Sequence, residues 1–283
     1  MWLFGYAMLP GRGTEGYALY AAGMEASAGD KARLLAFARP GVIADLGCGS
    51  GTVLELLRRA FPESRLIGVD ASTKMIAGCR ARFGKGVDFL RRDITKPLFP
   101  PASVDTIVLC SILHEVFTYK GYHYDAVRRT LRVCARALRP GGRILMRDGV
   151  KPAREEAVYF TFLRDGLREK FVRFAREFGS SEVAWKDVDG RVQLARRDAM
   201  EFLTKYIYEK NWRFEVKEHF GVYTLEEWGR ELRGAGFRVI HAESYLIDWL
   251  RVTHWEKDVR LEKRDGSPAE WPHSTMLVAG ERV

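Results

Sequence analysis

The 283-residue sequence is poor in the features that mark specialised protein classes. It has four cysteines, Cys48, Cys79, Cys110 and Cys134, none spaced as C-x-x-C and all in the first half. That pattern excludes the usual zinc spacings and a disulfide framework, and fits a chain kept in a reducing cytoplasm. No metal site is expected. No apolar run approaches the ~20 residues of a membrane span. The longest, Thr106 to Leu113, is interrupted by Cys110 and Ser111. The apolar start, MWLFGYAML, lacks a basic leader and a small-residue cleavage site, so it does not read as a signal peptide. Repeats and low-complexity segments are absent too. What remains, with 47% hydrophobic and 29% charged residues, is a globular composition long enough for one large or two small domains.

Negative charge is the scarcer sign, with 37 acidic against 46 basic residues and a net charge of +9. The excess is local. Residues 1–150 hold 22 basic and 13 acidic side chains, whereas residues 151–283 hold 24 of each. A basic half favours an anionic partner without identifying one.

From Val42 to Arg147, short apolar runs alternate with helical periods. Strands are expected at Val42–Leu46, Leu66–Val69, Val87–Leu90, Val104–Leu113 and Arg143–Met146. Helices are expected at Thr52–Phe61 and from about Asp125 to Leu138, the latter with Val127, Leu131, Cys134 and Leu138 inside. Such alternation implies right-handed βαβ units and a parallel sheet. After Gly149 the pattern changes. Phe160, Leu163, Leu167, Phe171, Phe174 and Phe178 recur at steps of three and four, which predicts one long helix over Pro152–Phe178. A loop at 180–190 and a helix at Asp198–Glu209 follow. The helix lined by Leu225, Trp228 and Leu232, and strands at Phe237–His241 and Thr275–Ala279, resume the earlier pattern.

The strongest chemical signal is Asp45-Leu46-Gly47-Cys48-Gly49-Ser50-Gly51, where the first strand meets the first helix. Glycines there let backbone approach a ligand, and a helix N-terminus offers free N–H groups. The dinucleotide fingerprint G-x-G-x-x-G would need glycine at position 52, which is Thr52, so the turn suits a ligand without a pyrophosphate. Asp70 ends the second strand, 19 residues after Gly51, where a carboxylate can accept from both hydroxyls of a ribose. Asp93-Ile94 follows the third strand, where a carboxylate can accept from an adenine amino group. Either acid alone could equally be a solvated strand end.

The ordered set DLGCGSG at 45–51, GVDAS at 68–72, RRDIT at 91–95, VDTIVLCSILHEV at 104–116 and LRPGGRILM at 138–146 resembles the class I S-adenosylmethionine-dependent methyltransferases. The resemblance covers about 40–150 well and the last sixty residues more loosely. It implies an α/β, Rossmann-like, doubly wound and mostly parallel sheet of seven strands, with one antiparallel strand near the edge and a helical insertion. The divisions expected are an N-terminal arm at 1–40, the S-adenosylmethionine-binding core at 41–149, a helical cap at 150–222 and C-terminal strands at 223–283. The resemblance also implies that Gly47, Cys48, Gly49 and Gly51 pass along the cofactor. Asp45 and Ser111 would meet its methionine end, Asp70 its ribose, Asp93 and Ile94 its adenine, with Ala71 and Met75 packed near the adenosine. The fourth strand is not followed by a motif such as N-P-P-Y, which weakens a nucleobase-amine acceptor.

Methyl transfer is an in-line displacement in which the enzyme aligns the acceptor, excludes water and, for a hydroxyl, removes a proton. His114, with Glu115 beside it, follows the fourth strand at the reacting edge and is the candidate base; the alternative is a histidine that orders its loop. Tyr17 in the arm is the expected cofactor or substrate contact, while Tyr20 suits packing. Tyr122, Tyr159 and Trp212 are the candidate acceptor contacts. The arginines at 128, 129, 132, 136 and 139 read as a solvated helix face rather than a nucleic-acid surface. The expected function is therefore methylation of an oxygen or nitrogen atom of a small molecule by a monomer or homodimer. A tRNA or rRNA methyltransferase is the first alternative, and a non-catalytic cofactor-binding fold the second.

Overall fold

The structure, a computed structural model, describes residues 28–179 and 182–283. Tyr17 and Tyr20 lie outside the described residues. A main sheet is built from β1 (Val42–Leu46), β2 (Arg65–Asp70), β3 (Asp88–Arg91), β4 (Val104–Cys110), β5 (Leu138–Gly149), β9 (Phe237–Tyr245) and β11 (Thr275–Arg282). Its order is β3-β2-β1-β4-β5-β11-β9. The pairs among β1 to β5 are parallel. β11 runs antiparallel between β5 and β9, as expected for a strand near the edge.

Both faces of this sheet are apolar, so both must be covered. On one face Leu46, Ile107, Leu109 and Met146 pack with Val127, Leu131 and Cys134 of the helix Tyr124–Ala137 and Trp228 of the helix Leu225–Gly234. On the other, Ile43, Val108 and Leu145 pack with Leu34, with Leu54 and Leu57 of the helix Thr52–Ala60, and with Ile76 and Cys79 of the helix Thr73–Phe83. Helices on both faces of a parallel sheet make the doubly wound arrangement.

The insert departs from the expected helical cap. A second sheet, all antiparallel, comprises β6 (Ala157–Phe162), β7 (Trp185–Val188), β8 (Arg191–Ala195) and β10 (Val259–Glu262), in the order β10-β6-β8-β7. The single helix expected over Pro152–Phe178 is a strand followed by a helix, Leu167–Glu177. Val158, Phe160 and Phe162 alternate on one face of β6, Gly166 breaks the chain at φ 74°, and Leu167, Phe171 and Phe174 then continue the same apolar stripe. Leu163, on the expected stripe, is 44% exposed. The insert also borrows β10 from between β9 and β11, so the stretch 223–283 serves both sheets. No helix among the described residues is long and apolar enough to cross a membrane.

Candidate active site

In an open α/β sheet, ligands bind outside the carboxyl ends of the strands where strand order reverses. Here that place lies between β1 and β4. After β1, the N–H groups of Gly47 and Cys48 both donate to the Val69 carbonyl at 2.7 and 3.0 Å, which bends the chain sharply. Gly47 has φ 80°, and a Cβ there would stand 2.4 Å from Ile112 Cγ1. Only glycine lets the turn approach the loop after β4 so closely. Gly49, at φ 50°, has open space where its Cβ would be, which leaves bare backbone for a ligand.

Three acids surround this turn. Asp45 is buried, and its Oδ2 has no hydrogen-bond partner among the described residues. Burial, reinforced by the charge of Asp70 and opposed by Lys31, pushes its carboxyl up to about 7. A ligand ammonium beside it would satisfy the orphaned oxygen and favour the ionised form. Asp70 accepts from the N–H of Gly49 at 3.0 Å and of Ser72 at 2.8 Å. Burial raises its pKa against those hydrogen bonds. It thus fixes the turn and keeps lone pairs for ligand hydroxyls. Ser72 caps the next helix through the Met75 N–H, which sets Ala71 and half-buried Met75 beside Asp70. Asp93 is more committed. Its Oδ1 accepts from Thr95 N–H and Oγ1, and its Oδ2 lies 2.8 Å from Lys120 Nζ, so an adenine amino group would share Oδ2 with Lys120. Burial would raise its pKa, but Lys120 and Thr95 outweigh it and lower the value. Ile94 is buried beside it.

The Cys48 side chain packs into the core beside Cys79, so a contact with the cofactor would come from its backbone. Ser111 ends β4 at φ 55°, its N–H on the Arg147 carbonyl at 2.7 Å and its Oγ 3.1 Å from Arg147 Nη1. Arg147 is itself paired with Asp30.

His114 lies between two carboxylates. It opens the helix Leu113–Tyr119, is buried, and has Nδ1 2.5 Å from Asp148 Oδ1 and Nε2 3.7 Å from Glu218 Oε2. Burial disfavours its charge, but Asp148 and Glu218 outweigh that and raise its pKa well above the usual histidine value. With Nδ1 held by Asp148 and its charge favoured by both carboxylates, the ring is placed to orient its loop, while a role as base would compete with Asp148 for the ring. Glu115 stands half-buried in the first turn of the same helix. Of the acceptor candidates, only Tyr122 reaches the junction of core and insert, its hydroxyl donating to the Lys217 carbonyl at 3.0 Å and its ring 5.2 Å from His219. Tyr159 and Trp212 belong to the insert instead. Tyr159 lies on β6 under Arg191, and Trp212 donates Nε1–H to Glu177 at 2.8 Å. Trp212 is part of the insert's own aromatic core, and Tyr159 lies in the strand beside Val158 and Phe160 of that core.

Asp148 and Glu218 escaped the sequence reading. Asp148 carried one signal, an acid closing an apolar strand. Glu218 carried none, since its partners lie 99 and 104 residues away.

A doubly wound sheet with this strand order, a glycine turn after β1 and acids after β1, β2 and β3 defines a nucleoside-cofactor fold of the class I methyltransferase type. Residues 43–142 match a family model described as a methyltransferase domain. That match covers 100 of the 283 residues and, together with the fold and the ordered motifs, supports a class I S-adenosylmethionine-dependent methyltransferase with S-adenosylmethionine as cofactor. It is 24% identical over 216 residues to a ubiquinone/menaquinone biosynthesis C-methyltransferase from Desulfotalea psychrophila, covering 76% of this chain and 72% of that protein. It is 31% identical over 148 residues to a trans-aconitate 2-methyltransferase from Acidovorax sp., covering 52% of this chain and 47% of that protein. Among solved structures, an S-adenosylmethionine-dependent methyltransferase from Mesorhizobium loti superposes with a TM-score of 0.56 at 22% identity, covering 91% of this chain and 98% of that one.

Proposed function

We propose that this protein methylates a small-molecule acceptor at an oxygen or nitrogen atom, with a carboxylate oxygen as the favoured target. When bound, S-adenosylmethionine supplies an electrophilic methyl group carried on a sulfonium. The chain's own residues then hold and align. Asp45, Asp70 and the glycine turn would secure the cofactor, and the loop Ser111–Ile112 would border the reacting end. The observation that carries the reading is the wall at 217–222, which the insert lays across the ends of β4 and β5. A Cβ on Gly149 would stand 2.2 Å from the Phe220 carbonyl oxygen, and Glu201 of the insert accepts from Gly221 N–H at 2.7 Å. Such a wall excludes water and limits acceptor size. With His114 Nδ1 held by Asp148 and Glu218 facing Nε2 at 3.7 Å, an acceptor that needs no deprotonation fits best, and a carboxylate meets that condition.

The nucleic-acid reading loses support along the arginine stripe, where Arg128 of the helix pairs with Glu231 and Arg139, at the start of β5, pairs with Asp105. A cytoplasmic location belongs to the same proposal, supported by four free cysteines. The test is release of S-adenosylhomocysteine by the purified protein with three acceptor sets: di- and tricarboxylic acids including trans-aconitate, quinols, and bulk tRNA. Turnover is expected with the acids. Methylation of tRNA at a defined nucleotide would replace this reading with the RNA one.

A further inference from the structure

His114 joins three stretches that the chain keeps far apart. Asp148, at the end of β5, takes its Nδ1 at 2.5 Å, while the other oxygen of Asp148 accepts from the N–H groups of Ile112, Leu113 and His114 at 3.0, 2.7 and 3.3 Å. One carboxylate thus caps the helix after β4 and holds the Ser111–Ile112 bend in place. On the far side, Glu218 faces Nε2 at 3.7 Å and accepts from the Tyr119 hydroxyl at 2.7 Å. The Phe220 ring meets the imidazole edge-on, with centroids 4.6 Å apart. Behind them Glu201 pairs with buried Lys205 and accepts from the N–H groups of Phe220 and Gly221.

We propose that His114 is a positioning residue whose ring, bridging Asp148 of the sheet and Glu218 of the insert, fixes the wall at 217–222 over the end of β4. The inference rests on the reading that this wall borders the acceptor. Both ring nitrogens face carboxylates, and only the doubly protonated ring offers a donor to each. The groups around it come from every neighbouring element: Asp148 from β5, Glu218 from the return segment, Glu115 and Tyr119 from its own helix, Glu201 and Lys205 from the insert helix Arg196–Lys205. A histidine whose folded value is raised contributes fully below its ordinary value near ~6.5 and loses that contribution as pH rises through the raised one. The wall therefore loosens on the alkaline side, while the glycine turn does not.

The test uses the full chain, His114→Gln and Glu218→Gln, with S-adenosylhomocysteine as the probe. Nitrogen NMR of labelled histidine should show His114 carrying two protons at pH 7, and its titration should move to lower pH in Glu218→Gln. Amide exchange over 217–222, corrected for intrinsic rate, should rise at least about tenfold in both variants. It should also rise in the unaltered protein as His114 deprotonates. S-adenosylhomocysteine affinity of Glu218→Gln should stay within about threefold. A neutral His114 ring at pH 7 would overturn the proposal. So would unchanged exchange over 217–222 in Glu218→Gln, or a tenfold loss of its S-adenosylhomocysteine affinity, which would place the bridge at the cofactor. Because no acceptor is needed, failure here is separable from failure of the acceptor panel.

Discussion

The main sheet and the insert bury their apolar residues in opposite styles. The sheet is filled largely with aliphatic side chains on both faces and carries at its strand ends the glycine turn and the acids proposed to hold the cofactor. The insert is filled with rings: Phe160, Phe171, Phe174 and Tyr206 all lie within 6 Å or so of Phe202, centroid to centroid. Where the two meet, buried charge joins the rings, with His114 and Asp148 of the core facing Glu218 of the insert, and with Glu201 and Lys205 paired behind it. A cofactor-holding sheet that works through backbone can carry many different roofs, and a roof with its own core can change without disturbing the turn beneath it.

The hardest test of that separation is Phe202→Ala. Phe202 is fully buried, and removing its ring should cost about 3–5 kcal/mol. If the insert is a unit of its own, thermal unfolding of the variant becomes biphasic and calorimetry still shows S-adenosylhomocysteine binding at low temperature. A single transition, lost together with binding, would mean that sheet and insert fold as one.

On the sheet side, Asp70→Ala should leave unfolding nearly unchanged and weaken S-adenosylhomocysteine by about 1–3 kcal/mol, roughly 5- to 150-fold, through lost charge-assisted hydrogen bonds and a loosened turn. Equal affinity by calorimetry would remove Asp70 from the cofactor site.

Asp45 sharpens the contrast through pH. Its carboxyl, at about 7, is largely protonated at pH 6 and ionised at pH 8. Raised above its unfolded value, it favours the ligand-free fold in its protonated form, and this contribution fades as pH rises through about 7. A cofactor ammonium selects the ionised form. Affinity should therefore increase up to about tenfold from pH 6 to pH 8, with net proton release at pH 6.5 detectable from calorimetry in buffers of different ionisation enthalpy. Asp45→Asn should abolish that release, and a flat pH profile in the unaltered protein would count against Asp45 as the ammonium partner.

The smallest effect belongs to the basic helix. Arg132→Ala, at an exposed position, should change stability by no more than about 0.5 kcal/mol and leave turnover with a small acceptor intact. A fall in tRNA affinity with a shallower salt dependence would instead revive the RNA reading.

The same contrast explains what could be read from the residues alone. β1 to β5 were legible because each is a short apolar run closed by a turn signal, and the glycine turn with Asp45 and Asp70 lies at strand ends whose position the pattern fixes. β6 was hidden because its alternate aromatic residues run into the stripe of the following helix, so two periods blend into one. β10, the four residues Val259–Glu262, is too short and too charged to stand out as a strand until β6 is seen beside it. His114 stood out at the end of the fourth strand, but its partners could not be read. Its charge depends on Asp148, 34 residues on, and Glu218, 104 residues on, and only the folded chain brings them together.

The placement of β10 has a consequence for biosynthesis. The chain emerges from the ribosome at about 5–20 residues per second, N-terminus first. β6 waits for its outer neighbour until residue 262 has been made, and β5 waits for β11 until residue 282, although both strands are complete by residue 162. For that interval the nascent protein presents one extra open strand edge in each sheet, beyond those of β3 and β7 that stay outermost after folding, and an open edge is a template for wrong pairing. The stretch 259–282 closes both within a few seconds. A stall that leaves residues 259–262 still inside the ribosome should leave a chain that is aggregation-prone in two places at once, whereas one that exposes them but not 275–282 should leave only one.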